Sequence, residues 1–278
     1  MMKVAIQGYP GAFHEIAARL FYQDEIEVVP ADTFEEVVSL VESHDKADTG
    51  IMAIENSIAG SILYNYNLLN QSNLQIIGEV FLRIKQNLMA IPGNRIEDLE
   101  EVHSHPMAIA QCKEFFRSYP GIKLVETKDT AESARYIHDN GLNHIGALGS
   151  VLAAELYHLD IIVPGIETDK RNYTRFILID HFIDAPNQQD FDKVSVSFAV
   201  SHEIGSLYKA LKTLSDHGAN LTKIQSAPIT GRPWEYLFFV DFLLQENSRF
   251  GDVIQGLTMT TRGLKILGKY KTGKQHEL

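Results

Sequence analysis

Cys112 is the single cysteine in 278 residues, which excludes an intrachain disulfide and a cysteine cluster for zinc. Such usage suits a reducing compartment. Long apolar runs are missing too. Stretches such as Ile161-Ile162-Val163 fall far short of the roughly 20 residues that span a bilayer, so no membrane partner is expected. The opening Met1 to Gly8 is interrupted too soon to read as a signal peptide, and a cytoplasmic location is expected. There is no H-E-x-x-H, no G-x-G-x-x-G, no Walker-type lysine loop and no G-x-S-x-G. The eleven histidines show no ligand spacing, so no metal site is expected. What is present is ordinary globular material: 45% hydrophobic and 22% charged residues, which excludes wholesale disorder.

The charge is unevenly spread. The net value is -11; residues 1–183 hold 14 Lys and Arg against 26 Asp and Glu, whereas residues 184–278 hold 11 against 10. An acidic front part is a poor nucleic-acid surface, and none is expected as a partner. Any anion it binds must be held by local donors. At roughly 100–200 residues per domain the length suggests two domains. The break falls in the polar, proline-bearing stretch that begins Asp184-Ala185-Pro186, read as a linker over 184–191.

In the front part short apolar strands alternate with helical segments. Lys3 to Ile6, Gly50 to Ile54, Leu74 to Phe81, Asn87 to Ile91 and Phe176 to Ile179 read as strands. Phe13, Ala17, Leu20 and Phe21 share one helical face, and Thr33 to Glu36 is a capping box. The pattern predicts an α/β domain with largely parallel sheets. The back part reads in the order βαββαβ, a ferredoxin-like α+β unit. Such a sheet often pairs with a copy of itself, so a homo-oligomer is expected.

Three loop-to-helix junctions could carry chemistry: Glu55 to Ser61, Ser104-His105-Pro106, and Asp129-Thr130-Ala131. Each offers free backbone N–H groups at a positive dipole end, suited to a small anion. Each is equally readable as an ordinary cap. Arg175 opens an otherwise apolar strand in Tyr173-Thr174-Arg175-Phe176; it either forms a structural ion pair or binds a carboxylate through two parallel N–H bonds. Cys112 sits on a helix with Ala108, Ile109 and Phe115 and reads as buried.

At these residues the chain resembles the prephenate dehydratase family over nearly its whole length. The motifs are Ile54-Glu55-Asn56-Ser57 with Gly60-Ser61, Ser104-His105-Pro106 with Ala108, Gln111 and Cys112, and Asn172-Tyr173-Thr174-Arg175-Phe176. Gly8-Tyr9-Pro10-Gly11-Ala12-Phe13 resembles the family's opening segment, with His14 where serine is common. The back part resembles the ACT regulatory module. Gly218-Ala219-Asn220-Leu221 and Gln225-Ser226-Ala227-Pro228 stand where that module binds phenylalanine, with Gln225 and Ala227 replacing a glutamate and an arginine.

The resemblance implies a catalytic domain over 1–183, folded like a type II periplasmic binding protein. Its first subdomain would take about 1–77 with 172–183, and its second about 78–171. A regulatory domain would follow over 192–278. It implies loss of water and carbon dioxide from prephenate to give phenylpyruvate, driven by aromatisation without metal or organic cofactor. Thr174 and Arg175 would be catalytic. Asn56, Ser57, Gly60, Ser61, Ser104, His105, Gln111, Thr130 and Phe176 would bind substrate. Phenylalanine would be the effector. Arogenate as substrate, or a non-catalytic small-anion-binding role, are the alternatives.

Overall fold

The computed structural model describes residues 1–23, 25–43, 46–181, 190–229, 231–232, 234–246 and 249–277. In chain order come β1 (Met2–Gln7), α1 (Phe13–Tyr22), β2 (Ile26–Ala31), α2 (Phe34–Glu42), β3 (Thr49–Asn56), β4 (Gly60–Ser61), α3 (Leu63–Gln71) and β5 (Leu74–Arg83). Then follow β6 (Asn87–Ala90), β7 (Glu101–Ser104), α4 (Pro106–Phe116), β8 (Lys123–Glu126), α5 (Thr130–Asn140), β9 (Ile145–Gly149), α6 (Val151–Leu156) and β10 (Asp160–Val163). The last set is β11 (Tyr173–His181), β12 (Lys193–Ala199), α7 (Ser206–Asp216), β13 (Asn220–Pro228), β14 (Tyr236–Leu243), α8 (Phe250–Thr260), β15 (Arg262–Tyr270) and β16 (Gln275–His276).

β1, β2 and β3 run parallel, and β11 returns from far along the chain to lie antiparallel between β3 and β5. Ile51, Met52, Ile177 and Leu178 are fully buried, so this sheet is covered on both faces. The cap of α2 forms with a shift. Thr33 accepts from the Glu36 N–H as the pattern predicts, but the Glu36 carboxylate accepts from Asp32 N–H, one residue earlier.

A second lobe has the strand order β10-β6-β9-β7-β8, antiparallel at the β10 side and parallel at the β8 side. Both sheets are therefore mixed, not largely parallel. The chain crosses to this lobe after Arg83 and not near Gly78. Gly78 lies inside β5, where a Cβ would stand 2.2 Å from the Phe21 ring. The lobes meet at the loop between β1 and α1. Ser150 Oγ donates to the Gly11 carbonyl and Tyr157 OH to that of Pro10. Gly11 has φ +93, and a Cβ there would lie 2.8 Å from the Ala153 backbone.

The back unit has the βαββαβ order read from the sequence, with strands β13-β14-β12-β15. Alternation divides its sheet cleanly. Val194, Val196, Phe198, Val240 and Phe242 face α7 and α8, while Phe239, Ala227, Leu267 and Tyr270 face the first lobe. β15 meets β5 at Gly268 and Ile76, so one sheet of eleven strands runs through both units. Only glycine fits there, because a Cβ would be 2.3 Å from the Ile76 carbonyl oxygen. Of the expected linker, 184–189 lies outside the described residues; Phe191 is buried in the core of the back unit. Among the described residues no helix is long and apolar enough to cross a membrane.

Candidate active site

A cavity of about 610 Å³ opens between the two lobes. Its walls come from the end of β1 (Gln7), the start of α1 (Ala12, Phe13, His14), α2 (Thr33, Phe34), β3 (Asn56), the crossing segment (Gln86), the starts of α4 and α5 (His105, Met107, Asp129, Thr130), Gln111 of α4, and β11 (Thr174, Phe176). The sequence-expected residues Asn56, His105, Gln111, Thr130, Thr174 and Phe176 are thus brought together from four separate segments. Among the described lining residues there is no lysine or arginine, whereas Asp32, Glu35 and Asp129 are present.

Thr174 is held on this wall by Asn56. In the β3–β11 ladder Thr174 stands directly opposite Asn56, on the same face. Asn56 Oδ1 accepts from the N–H groups of Ile58 and Ala59, 3.0 and 2.9 Å, which closes the turn after β3. That fixes the amide orientation, so Nδ2 donates to Thr174 Oγ1 at 3.0 Å and to Asn172 Oδ1 at 2.7 Å. A threonine oxygen that accepts in this way keeps its own proton available to a molecule in the cavity.

Five expected site residues lie elsewhere. Glu55 to Ser61 is a hairpin, not a helix start: β4 pairs back on β3, and α3 begins only at Leu63. Ser57 Oγ is spent on the Arg171 carbonyl and Tyr173 N–H, Gly60 is exposed at the start of β4 with φ +81, and Ser61 Oγ accepts from Lys223 Nζ. Ser104 is buried and donates to the Leu148 carbonyl. Arg175 follows Thr174 on a strand, so its side chain leaves by the opposite face. There Nε meets Glu79 at 2.7 Å, Nη1 meets Asp241 at 2.5 Å, and Nη2 donates to Tyr270 OH. Of the two readings of Arg175, the structure takes the structural ion pair. Burial works against its charge, but Asp241, Tyr270 and Glu79 outweigh it and its pKa rises.

Four helix starts face the cavity and they differ; at α2 the Thr33 hydroxyl accepts from Glu36 N–H. His105 Nδ1 accepts from Met107 N–H at 3.2 Å, and Asp129 Oδ1 accepts from the N–H groups of Ala131 and Glu132. Ala12 caps α1 with no side chain at all. Among the described residues the start of α1 is therefore the one of the four without a side-chain cap; Glu15 N–H is spent on the Ala12 carbonyl, which leaves the N–H groups of Phe13 and His14 for an anion. Burial lowers the pKa of His105 and so favours neutral imidazole; with Nδ1 accepting, its proton sits on Nε2. Burial raises the Asp129 carboxyl above the usual range. It pushes His14 down to about 4. His14 Nε2 and Gln86 Oε1 are buried without a partner among the described residues. Sequence reading gave no site role to Gln7, Phe13, His14 or Gln86. The signal for α1 was present, since Pro10-Gly11-Ala12 leads into a helix without a capping hydroxyl or carboxylate.

In the back unit the two expected effector segments lie at opposite ends of β13. Gly218, Ala219, Asn220 and Leu221 span the end of α7 and the start of β13; Gln225, Ser226, Ala227 and Pro228 are its other end. Ala227 is 1% exposed and packs against the first lobe, so no charged side chain fits in its place. A cavity of about 500 Å³ lies at the start of α7, lined by Val200 to Tyr208, Trp234 to Tyr236, and Phe238. Gly205, at the N-cap with φ +81, was the available signal.

Residues 4–182 match the family model described as prephenate dehydratase. The chain is 35% identical to a bifunctional chorismate mutase/prephenate dehydratase of Aquifex aeolicus, over 97% of this chain and 73% of that protein. It is 38% identical to arogenate dehydratase 1 of Petunia hybrida, over 97% and 66%. Among solved structures it is similar to the Arthrobacter aurescens prephenate dehydratase in complex with L-Phe, with TM-score 0.86, 25% identity and coverage of 99% and 92%. It is equally similar to GqqA, titled a novel type of quorum quenching acylase, with TM-score 0.86, 30% identity and coverage of 98% of each chain. The chain belongs to the prephenate dehydratase family.

Proposed function

We infer that the chain is a carbon–oxygen lyase that converts prephenate to phenylpyruvate, releasing water and carbon dioxide. The observation that carries this reading to particular residues is the Thr174 hydroxyl, oriented by Asn56 on the wall of a cavity between two lobes. Decarboxylation and loss of the ring hydroxyl leave an aromatic ring, so the product itself supplies the driving force. The protein has to hold the substrate, exclude water and help hydroxide leave. Thr174 donates to the departing hydroxyl, a bond that tightens as negative charge develops. The open N–H groups of α1 and the Nε2–H of His105 hold carboxylates. Gln86 and Gln111, whose amides meet at 3.4 Å, offer one polar edge to the ring, with Phe34 and Phe176 on the same cavity wall. Placement in this cavity supplies much of the rate.

Arogenate is the second reading. It carries an ammonium where prephenate carries a keto group, and a lining with three carboxylates and, among the described residues, no lysine or arginine suits a substrate with one cation. The catalytic domain takes 1–183, and 192–278 forms an ACT-type regulatory domain that takes phenylalanine. The αβ order of that unit and the phenylalanine complex of the Arthrobacter relative support this assignment. The effector enters the cavity at the start of α7. β13 is an outer edge strand bearing exposed Leu221 and Ile224, which supports pairing with a second copy.

The test is phenylpyruvate release from prephenate at mildly alkaline pH, with arogenate run in parallel and Thr174→Ala as control. Turnover that vanishes in the variant supports reaction and residue together. Phenylalanine formed from arogenate, with prephenate untouched, moves the function to the second reading. Full activity in Thr174→Ala refutes the role of the hydroxyl.

A further inference from the structure

The paired strands β3 and β11 carry the site on one face and the back unit on the other. Asn56 stands opposite Thr174 on the cavity face; their neighbours Glu55 and Arg175 stand opposite each other on the far face. Both far-face residues end on charges of the back unit. Arg175 meets Asp241 of β14. Glu55 Oε2 meets Lys223 Nζ of β13 at 2.9 Å, and the same ammonium donates to Ser61 Oγ at 2.7 Å. Lys223 also lies over the Tyr66 ring, 5.3 Å from its centre, and its side chain is only 9% exposed. One ammonium therefore grips both strands of the hairpin whose turn is closed by Asn56, the residue that orients Thr174.

We propose that Lys223 is a positioning residue for the reaction: by clamping Glu55 and Ser61 it holds the β3–β4 hairpin where Asn56 can orient the Thr174 hydroxyl. The back unit thereby takes part in building the site, in addition to any ligand it binds. A simple stabilising contact would change the amount of folded protein and leave turnover per folded molecule alone. A clamp acting through Asn56 and Thr174 changes kcat with little change in KM, because substrate binding rests on other residues. The pair is half-buried, with Lys223 enclosed and Glu55 36% exposed, and coupling within such a contact network alters kcat by roughly three- to thirtyfold.

The inference rests on the reading of Thr174 given above, and the experiment separates the two. kcat and KM for the better of the two substrates are measured for the full chain, for Lys223→Met, Glu55→Gln and the double variant, and for Thr174→Ala, each normalised to folded protein by circular dichroism. The expected result is a kcat loss of roughly three- to thirtyfold in each single variant, KM within about twofold, and a double variant no worse than the weaker single. Wild-type kcat in both singles, or losses that multiply in the double, overturns the clamp. Should Lys223→Met fail to fold, Glu55→Gln alone decides between a lowered and an unchanged kcat. Activity retained in Thr174→Ala instead refutes the underlying reading.

Discussion

Replacing Arg175 by methionine removes one of two cations from a buried cluster of four charges. Arg175 and Lys193 face Glu79 and Asp241, all four at most 5% exposed, with ion-pair distances of 2.5–2.8 Å. The cluster is formally neutral. Without the guanidinium, Lys193 still holds Glu79 by both oxygens, at 2.8 and 2.9 Å, but Asp241 keeps only the Ser195 hydroxyl. A buried carboxylate left without its partner costs about 3–5 kcal/mol. At roughly 2–4 °C per kcal/mol for a chain of this size, Tm should fall by roughly 6–20 °C. Adding Asp241→Asn removes the orphaned charge and should recover a good part of that loss, which a thermal melt of the single and double variants at pH 7 would read directly. Methionine fills much of the arginine's volume, so the effect is one of charge and not of a cavity. An unchanged Tm in Arg175→Met with KM raised many-fold would refute the reasoning, because it would return the guanidinium to the substrate.

Thr174→Ala should lower kcat on the order of a hundredfold or more while KM moves little, checked by steady-state phenylpyruvate formation. The His14 imidazole titrates near 4 in the fold against 6.5 in the open chain. The unfolded chain therefore takes the proton first; stability is full above about pH 6.5 and falls by roughly 3 kcal/mol towards pH 4. In His14→Gln, denaturant unfolding should show a flatter slope across that window. Ala227→Arg, which puts back the residue usual in the resembling module, should destabilise by at least about 3 kcal/mol, seen as a lower Tm, because the position is sealed against the first lobe. Phenylalanine at saturating concentration should raise Tm in the parent chain, and Trp234→Ala should abolish the shift.

Much of this molecule was legible in one dimension, because much of it is short-range physics. Apolar alternation along β12 and β14 marked two-faced strands, Pro106 at the first turn of α4 marked a helix start, and Thr33 marked the cap of α2. The exceptions have physical causes. β2 escapes the pattern because it is an edge strand, where Pro30 and Glu27 are tolerated and the alternation is diluted. The segment after Ile54 reads as a helix start since asparagine and serine cap helices, yet Asn56 closes a hairpin turn with its own carboxamide. Thr174-Arg175-Phe176 shows the boundary most clearly. Strand geometry alone says that threonine and arginine point to opposite sides. Which side becomes the cavity depends on what packs there: β3 presents Asn56 on one face, and β5, β12, β14 and β15 bring Glu79, Lys193, Asp241 and Tyr270 to the other. Glu79, Asp241 and Tyr270 lie between 66 and 96 residues from Arg175. No local pattern encodes such a meeting, because the pairing of distant charges is selected by burial, which exists only once the two units have closed on each other.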